Sequence, residues 1–168
     1  MSALSLDAEV LYGDLLRLLR ARWQPGDVLV GVWSGGAWLA ERLHADLGLP
    51  GSPGVISSSL HRDDFGSRGM AGGNDPTKLA FAVADARIVL VDDVLFTGRT
   101  IRAVINELYD FGRPASVSLA VLVDRGGREL PIEATWAAVR VNLPAAQRIR
   151  LDRGDDGKLT FVVREATA

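Results

Sequence analysis

The chain has 168 residues, 48% hydrophobic and 24% charged, with 18 Gly, 7 Pro and no Cys; this excludes disordered, fibrous and disulfide-stapled classes and suits one globular domain with a full core. No apolar run approaches the ~20 residues of a membrane-spanning helix, and Met1 to Asp7 lacks the basic and apolar regions of a signal peptide, so a cytoplasmic location is expected. With no cysteine and only His44 and His61, any metal should be oxygen-ligated, and a net charge of −2 provides no global field to hold nucleic acid.

Leu11, Leu15, Leu18 and Leu19 recur at helical spacing between Ser5 and Trp23, with Asp14, Arg17 and Arg20 between them, and Gln24-Pro25-Gly26-Asp27 ends that helix. Val28 to Trp33 is a short apolar run of the kind a strand buried on both faces shows. Ser34-Gly35-Gly36 turns the chain into a second helix marked by Leu39, Leu43 and Leu47, with Gly48 and Pro50 beyond it. Val55 to Leu60 reads as a strand. The loop that follows, about 62–80, holds Gly66, Gly69, Gly72 and Gly73 and reads either as a mobile lid or as a plain connection.

Arg87 to Val91 is the clearest strand, and Ile101, Val104, Ile105 and Leu108 predict a helix stopped by Gly112 and Pro114. Val117 to Val123 predicts another buried strand, and Trp136–Val141, Ile149–Leu151 and Leu159–Val163 predict short strands within a C-terminal strand-rich region, about 124–168. Strands alternating with helices imply right-handed crossovers and an α/β domain. Its parallel sheet is covered on both faces and carries a smaller strand-rich appendage. A ligand is then expected at the carboxyl ends of the strands.

The informative segment runs from Val89 to Thr100: an apolar strand, the carboxylates Asp92 and Asp93, a turn, and Thr97-Gly98-Arg99-Thr100 opening a helix. Unpaired amides at a helix N-terminus, two hydroxyls and a glycine that lets backbone approach closely make a phosphate cradle. The two carboxylates one step before it either accept hydrogen bonds from vicinal hydroxyls or simply end the strand and cap the helix. A sugar bearing a phosphate fits both halves. No Lys follows the glycine and no G-x-G-x-x-G occurs here, so the nucleoside-triphosphate loop and the dinucleotide fingerprint lose ground.

This string resembles the type I phosphoribosyltransferases. Together with Leu60-His61-Arg62-Asp63-Asp64 upstream and Asp124-Arg125-Gly126-Gly127-Arg128-Glu129-Leu130-Pro131-Ile132 downstream, it is similar to the PyrR family of pyrimidine operon regulators with uracil phosphoribosyltransferase activity. The similarity runs from about Leu11 to Pro144. It implies the type I phosphoribosyltransferase fold, a parallel-sheet α/β fold with helices on both faces and a small strand-rich base-binding hood. It also implies transfer of 5-phosphoribose from 5-phosphoribosyl 1-diphosphate (PRPP) to uracil, giving UMP and diphosphate with Mg²⁺.

By the same resemblance Asp92 and Asp93 hold the ribose hydroxyls, and Leu95, Phe96, Thr97, Gly98, Arg99 and Thr100 take the 5-phosphate. The Ser34-Gly35-Gly36 turn lies on the diphosphate as an anion nest. Relatives with a Thr-Arg pair there carry a cation that Ser34 and Gly35 lack, a charge-assisted contact worth about 1.5 to 3 kcal/mol. Arg62 is the candidate substitute, and Asp63 or Asp64 is the candidate Mg²⁺ holder through water, Asp64 reading equally as an ion-pair partner of Arg62. Arg125 is expected near base and diphosphate, and backbone around Val139 to Val141 at the uracil edge. His61 reads as a polar strand terminus rather than a general base, and His44 as a surface residue.

Two other readings stand beside uracil transfer. One is a nucleotide-sensing protein that binds pyrimidine leader mRNA, with Arg17, Arg20, Arg22, Arg140, Arg148, Arg150 and Arg153 as candidate contacts. From Asp124 onward, however, cations and acids nearly balance, and Val141 stands where relatives carry a basic residue, so weakened or absent RNA regulation is expected. The other is a transferase for a purine, against which the Asp124 to Ile132 string speaks. The resemblance also implies a homodimer or higher homo-oligomer, with Trp23 and Trp136 as candidate interface residues or, equally, core.

Overall fold

Asp7 opens the first helix, α1 (Ala8–Arg22): its carboxylate accepts the Glu9 and Val10 amides, and Arg20 and Arg22 sit in the last turn, where the helix dipole favours cations. The computed structural model describes residues 5–57 and 77–166. Leu11, Leu15 and Leu19 are buried as their spacing predicts, together with Tyr12, whose hydroxyl donates to Asp46 at 2.6 Å. Burial first, and then this bond, push the Tyr12 pKa above its ordinary range.

There follow β1 (Asp27–Val32), α2 (Gly35–Asp46), β2 (Gly54–Ile56), β3 (Arg87–Leu95), α3 (Arg99–Phe111), β4 (Ser116–Asp124) and β5 (Trp136–Arg140). The five strands form one sheet in the order β2-β1-β3-β4-β5, every pair parallel. Alternation along β3 divides the core. Val89 and Val91 pack on the side of α1 and α2, Ile88 and Leu90 on the side of α3 with Ile101, Val104 and Leu108. A strand buried on both faces has no polar side to show, which is why it reads as a continuous apolar run.

The chain steps outward from β1 to β2, then returns past β1 to β3 and continues to β5. Right-handed crossovers running in opposite directions place α2 and α3 on opposite faces, and they open a crevice where β1 and β3 end. Helix α2 lies unusually close to β1 there. A Cβ on Gly31 would stand 2.6 Å from the Ala37 Cα, an approach that only glycine permits.

Three elements differ from their expected extents. β3 runs on through the acidic pair to Leu95, because β4 pairs with it as far as the Leu95–Asp124 register. β2 is short, and residues 58–60 of the strand expected there lie outside the described residues. Trp136–Arg140 belongs to the main sheet as its edge strand and not to the appendage, since Val121 and Val123 pair with Ala137 and Val139.

The appendage among the described residues is an antiparallel hairpin, β6 (Gln147–Arg153) and β7 (Leu159–Glu165). Leu151 and Leu159 are buried in the core beneath α1 and α2, each burial contributing roughly 1.5–3 kcal/mol. Glu9 adds a polar tie: its carboxylate accepts from Arg42 at 3.0 Å and from the Leu159 amide at 2.8 Å. Of the loop expected over 62–80, only 77–80 are described, and Lys78 exchanges 2.8 Å backbone hydrogen bonds with Val55.

Candidate active site

The carboxyl ends of β1 and β3 and the near side of β6 enclose one cleft of about 320 Å³. Ser34, Gly35, Asp92, Asp93, Phe96, Thr100 and Arg125, all singled out in the sequence, line it together with Trp33, Val94, Arg148, Ile149 and Arg150. This is the crevice that the reversal of strand order requires. Ser34 ends a cis peptide and precedes α2, while Gly35 and Gly36 press against β3. A Cβ on Gly35 would lie 2.7 Å from Asp93 Oδ2, and one on Gly36 would run into the Val91 carbonyl oxygen.

Asp93 joins the three walls. Its Oδ1 accepts the Val94 amide at 2.9 Å and its Oδ2 the Leu151 amide of β6 at 3.4 Å, against the backbone of Gly35. Asp92, 8% exposed, accepts the Asp93 amide at 2.9 Å. Both side chains accept backbone donors at the mouth of the sheet, which helps keep the carboxylates oriented. Among the described residues no cluster of three metal-ligating side chains occurs.

The turn after β3 leads into α3 through Gly98, at φ +92°, where a Cβ would stand 2.9 Å from that of Ile132. Thr97 Oγ1 accepts the Arg99 amide at 3.2 Å, and the Thr97 carbonyl accepts the amides of Glu129 and Leu130. The following loop buttresses this turn. Arg128 donates to the Phe96 carbonyl, the Ile132 carbonyl and Asp124 at 2.7, 2.7 and 2.6 Å, and Gly127, at φ +73°, lies on the Phe96 ring where a Cβ would collide. Arg99 projects outward to Glu129 at 2.8 Å, so Leu95 to Thr100 offer backbone and hydroxyls rather than a cation.

Arg125 lines the cleft while its guanidinium is bonded to the segment that leads into β6. It is 2% exposed, stacks 3.9 Å over the Phe96 ring, and donates to the carbonyls of Gln147 at 2.7 Å and Pro144 at 2.9 Å, which fixes the start of β6. Burial first, and the positive charge of Arg148 second, lower its pKa from the usual arginine value. Periodicity gives no sign of such a contact, because its acceptors lie about twenty residues downstream.

Val139 and Val141 are not in this cleft. Val139 pairs with Val123 in the sheet, and Val141 gives its amide to the Asp124 carbonyl at 2.8 Å, so that donor is not free to read a base. Val141 lines a neighbouring cavity with Asp124, Gly126, Arg128, Arg140 and Asn142. His61, Arg62, Asp63 and Asp64 lie outside the described residues. His44 sits on the flank of α2 within 3.2 Å of the Pro50 carbonyl, and Trp23 and Trp136 are partly buried against the core rather than free.

The candidate nucleic-acid cations do not gather on one face. Arg17 pairs with Asp14, Arg20 donates to the Asp46 carbonyl, and Arg153 lies 3.6 Å from Glu41, while Arg148 and Arg150 line the cleft. In the sequence those last two stand among the candidate RNA contacts. Their alternation along β6 indicates a shared face, but not that this face closes over the acidic pair.

The family model of the phosphoribosyl transferase domain matches residues 13–148. A protein of Ralstonia nicotianae named bifunctional protein PyrR is 48% identical, the match covering 100% of both chains; its namesake from Nitrosococcus oceani is 43% identical over 90% of this chain and 89% of its own. Among solved structures, a hypoxanthine phosphoribosyltransferase from Staphylococcus aureus superposes with a TM-score of 0.63 at 20% identity. It covers 84% of this chain and 78% of that one. The hypoxanthine phosphoribosyltransferase of Trypanosoma cruzi gives a TM-score of 0.59 at 18% identity, over 83% of each. At such identities the likeness concerns the fold. The Val89–Thr100 string, the sheet that presents it and these matches agree: the chain belongs to the phosphoribosyl transferase family, with the type I fold, and within it to the PyrR proteins.

Proposed function

We propose that the protein transfers the 5-phosphoribosyl group of PRPP to uracil, forming UMP and diphosphate. The observation that carries this reading is the single cleft in which Asp93 touches the Ser34–Gly36 turn, the end of β3 and β6. Asp92 and Asp93 would accept the ribose hydroxyls, and the Leu95–Thr100 turn with the first amides of α3 would hold the 5-phosphate. Diphosphate would lie along Ser34 to Gly36, and the flat base against Val94, Phe96 and Ile149, apolar members of the same cleft. The C1–O bond to diphosphate breaks, its electron pair leaving on the diphosphate oxygen, as the bond from uracil N1 to C1 forms, and the N1 proton passes to the departing diphosphate or to water. Fixed carboxylates beside C1 favour the positive charge that develops there.

The donor set suits Mg²⁺: oxygen ligands, two adjacent carboxylates, and room for substrate oxygens and water to complete the shell. When bound, the ion would neutralise charge on the departing diphosphate. Asp92 and Asp93 are the described residues that would hold it, while Arg62, Asp63 and Asp64 rest on the resemblance alone, as does assembly into a homodimer or larger oligomer.

The test is UMP formation from uracil, PRPP and Mg²⁺, with Asp93→Asn as comparator and hypoxanthine, guanine and adenine as competing bases. Uracil-selective turnover that falls about 100-fold or more in the variant is expected. Tight UMP binding without turnover would instead leave a nucleotide sensor. Because the relatives are named bifunctional, leader-RNA binding is the second reading. With so many of its arginines paired to acids, no retardation of a pyrimidine leader RNA is expected at physiological salt, and nanomolar, sequence-specific binding would overturn that expectation.

A further inference from the structure

We propose that Arg148, on β6, is the cation that receives the diphosphate of PRPP, in place of the one absent from the Ser34–Gly36 turn. This rests on the phosphoribosyl-transfer reading and adds a residue to it. Ser34, Gly35 and Arg148 line the same cleft, the turn on one side and the arginine on the other. The residue is exposed, and among the described residues the Arg148 side chain makes no hydrogen bond or ion pair. The neighbouring Arg150 is already occupied by Asp152 at 2.9 Å, which makes it the weaker anion contact.

A second observation points to an anion at the same place. Arg125 is 98% buried beside Arg148, and its Nε has no hydrogen-bond partner among the described residues, although its other nitrogens hold the carbonyls of Gln147 and Pro144. Two guanidinium groups near one another, one desolvated and incompletely bonded, are unfavourable as they stand. A multiply charged anion in the cleft removes that repulsion. The strand that carries Arg148 is fixed on either side of it, by Arg125 at the strand's start and by the Leu151 amide on Asp93 further along. A rigid strand presents a cation with little ordering cost, which a flexible loop does not.

PRPP and UMP share the ribose and the 5-phosphate, but only PRPP carries a diphosphate, so the pair isolates this contact. Calorimetric titration of the whole protein, with Mg²⁺, would measure both ligands and free diphosphate on wild type, Arg148→Gln, Arg148→Lys and Arg150→Gln. Arg148→Gln is expected to weaken PRPP and diphosphate roughly 10- to 100-fold and UMP less than about 2-fold. Arg148→Lys should recover part of the loss, and Arg150→Gln should change PRPP by less than about 3-fold. Unchanged PRPP affinity in Arg148→Gln would overturn the assignment. Equal losses for PRPP and UMP would overturn it too, by showing a general effect on the cleft. Wild type binding neither ligand would overturn the phosphoribosyl-transfer reading itself, and this one with it.

Discussion

The two sides of the cleft are made in different ways. The sheet side, from Ser34 to Gly36 and from Asp92 to Thr100, combines small residues, hydroxyls, acids and backbone amides with the apolar Val94 and Phe96, and no cation from it lines the cleft. The hairpin side contributes Arg148 and Arg150 on a strand anchored by Arg125. On the sheet side, shape is fixed by contacts so close that no side chain fits between them. On the hairpin side, charge is mounted on an element attached at a few points. Shape and charge are therefore separable here, the first set by the turn and the sheet, the second carried by the neighbouring strand.

The largest effect should come from loosening the hairpin. Leu151, 2% exposed, seats β6 in the core, and Leu151→Ala is expected to cost about 2–5 kcal/mol in urea unfolding. Its remaining folded fraction should lose affinity for PRPP more than for UMP. If both ligands weaken together, the two sides are not separable as argued.

On the sheet side, Gly36→Ala forces a methyl group onto the Val91 carbonyl. Overpacking of this kind costs about 1–3 kcal/mol. A shifted turn should also reduce turnover, measured as UMP formed per unit of folded protein; unchanged stability would show that α2 can move away from β3 after all.

The smallest effect concerns the buttress behind the Leu95–Thr100 turn. Burial raises the Asp124 pKa, but the hydrogen bond from Arg128, the Gly126 amide and the charges of Arg128 and Arg140 together hold it below the ordinary aspartate value. A carboxyl whose pKa is lower folded than unfolded contributes stability above the unfolded pKa, about 3.9, and loses it as pH falls through the folded value. Urea midpoints of wild type and Asp124→Asn should therefore differ at pH 7 and draw together below about pH 4.

Much of the sheet side was legible from local patterning. The helices followed from leucine and isoleucine spacing, β3 from its apolar run, and the acidic pair with Thr97 to Thr100 from adjacency alone, because a phosphate turn is built by consecutive residues. The hairpin side was not legible in this way. Arg125 bonds carbonyls about twenty residues later, and Arg148 lines the same cleft as the acidic pair only because Leu151 and Leu159 seat the hairpin in the core. Trp136 to Arg140 carries the alternation of a strand but nothing that names its partner, so its place at the sheet edge emerged only with the fold.

Glu9 extends the comparison to the start of the chain. Its carboxylate serves Arg42 of α2 and the Leu159 amide of the hairpin at once. A truncation that removes the first turn of α1, or an N-terminal fusion that pulls on it, would unpin the roof of the cleft from a point distant in sequence. Reciprocally, a ligand that clamps the hairpin should slow amide hydrogen exchange in the first turn of α1, so the amino terminus would report occupancy of a cleft it does not touch.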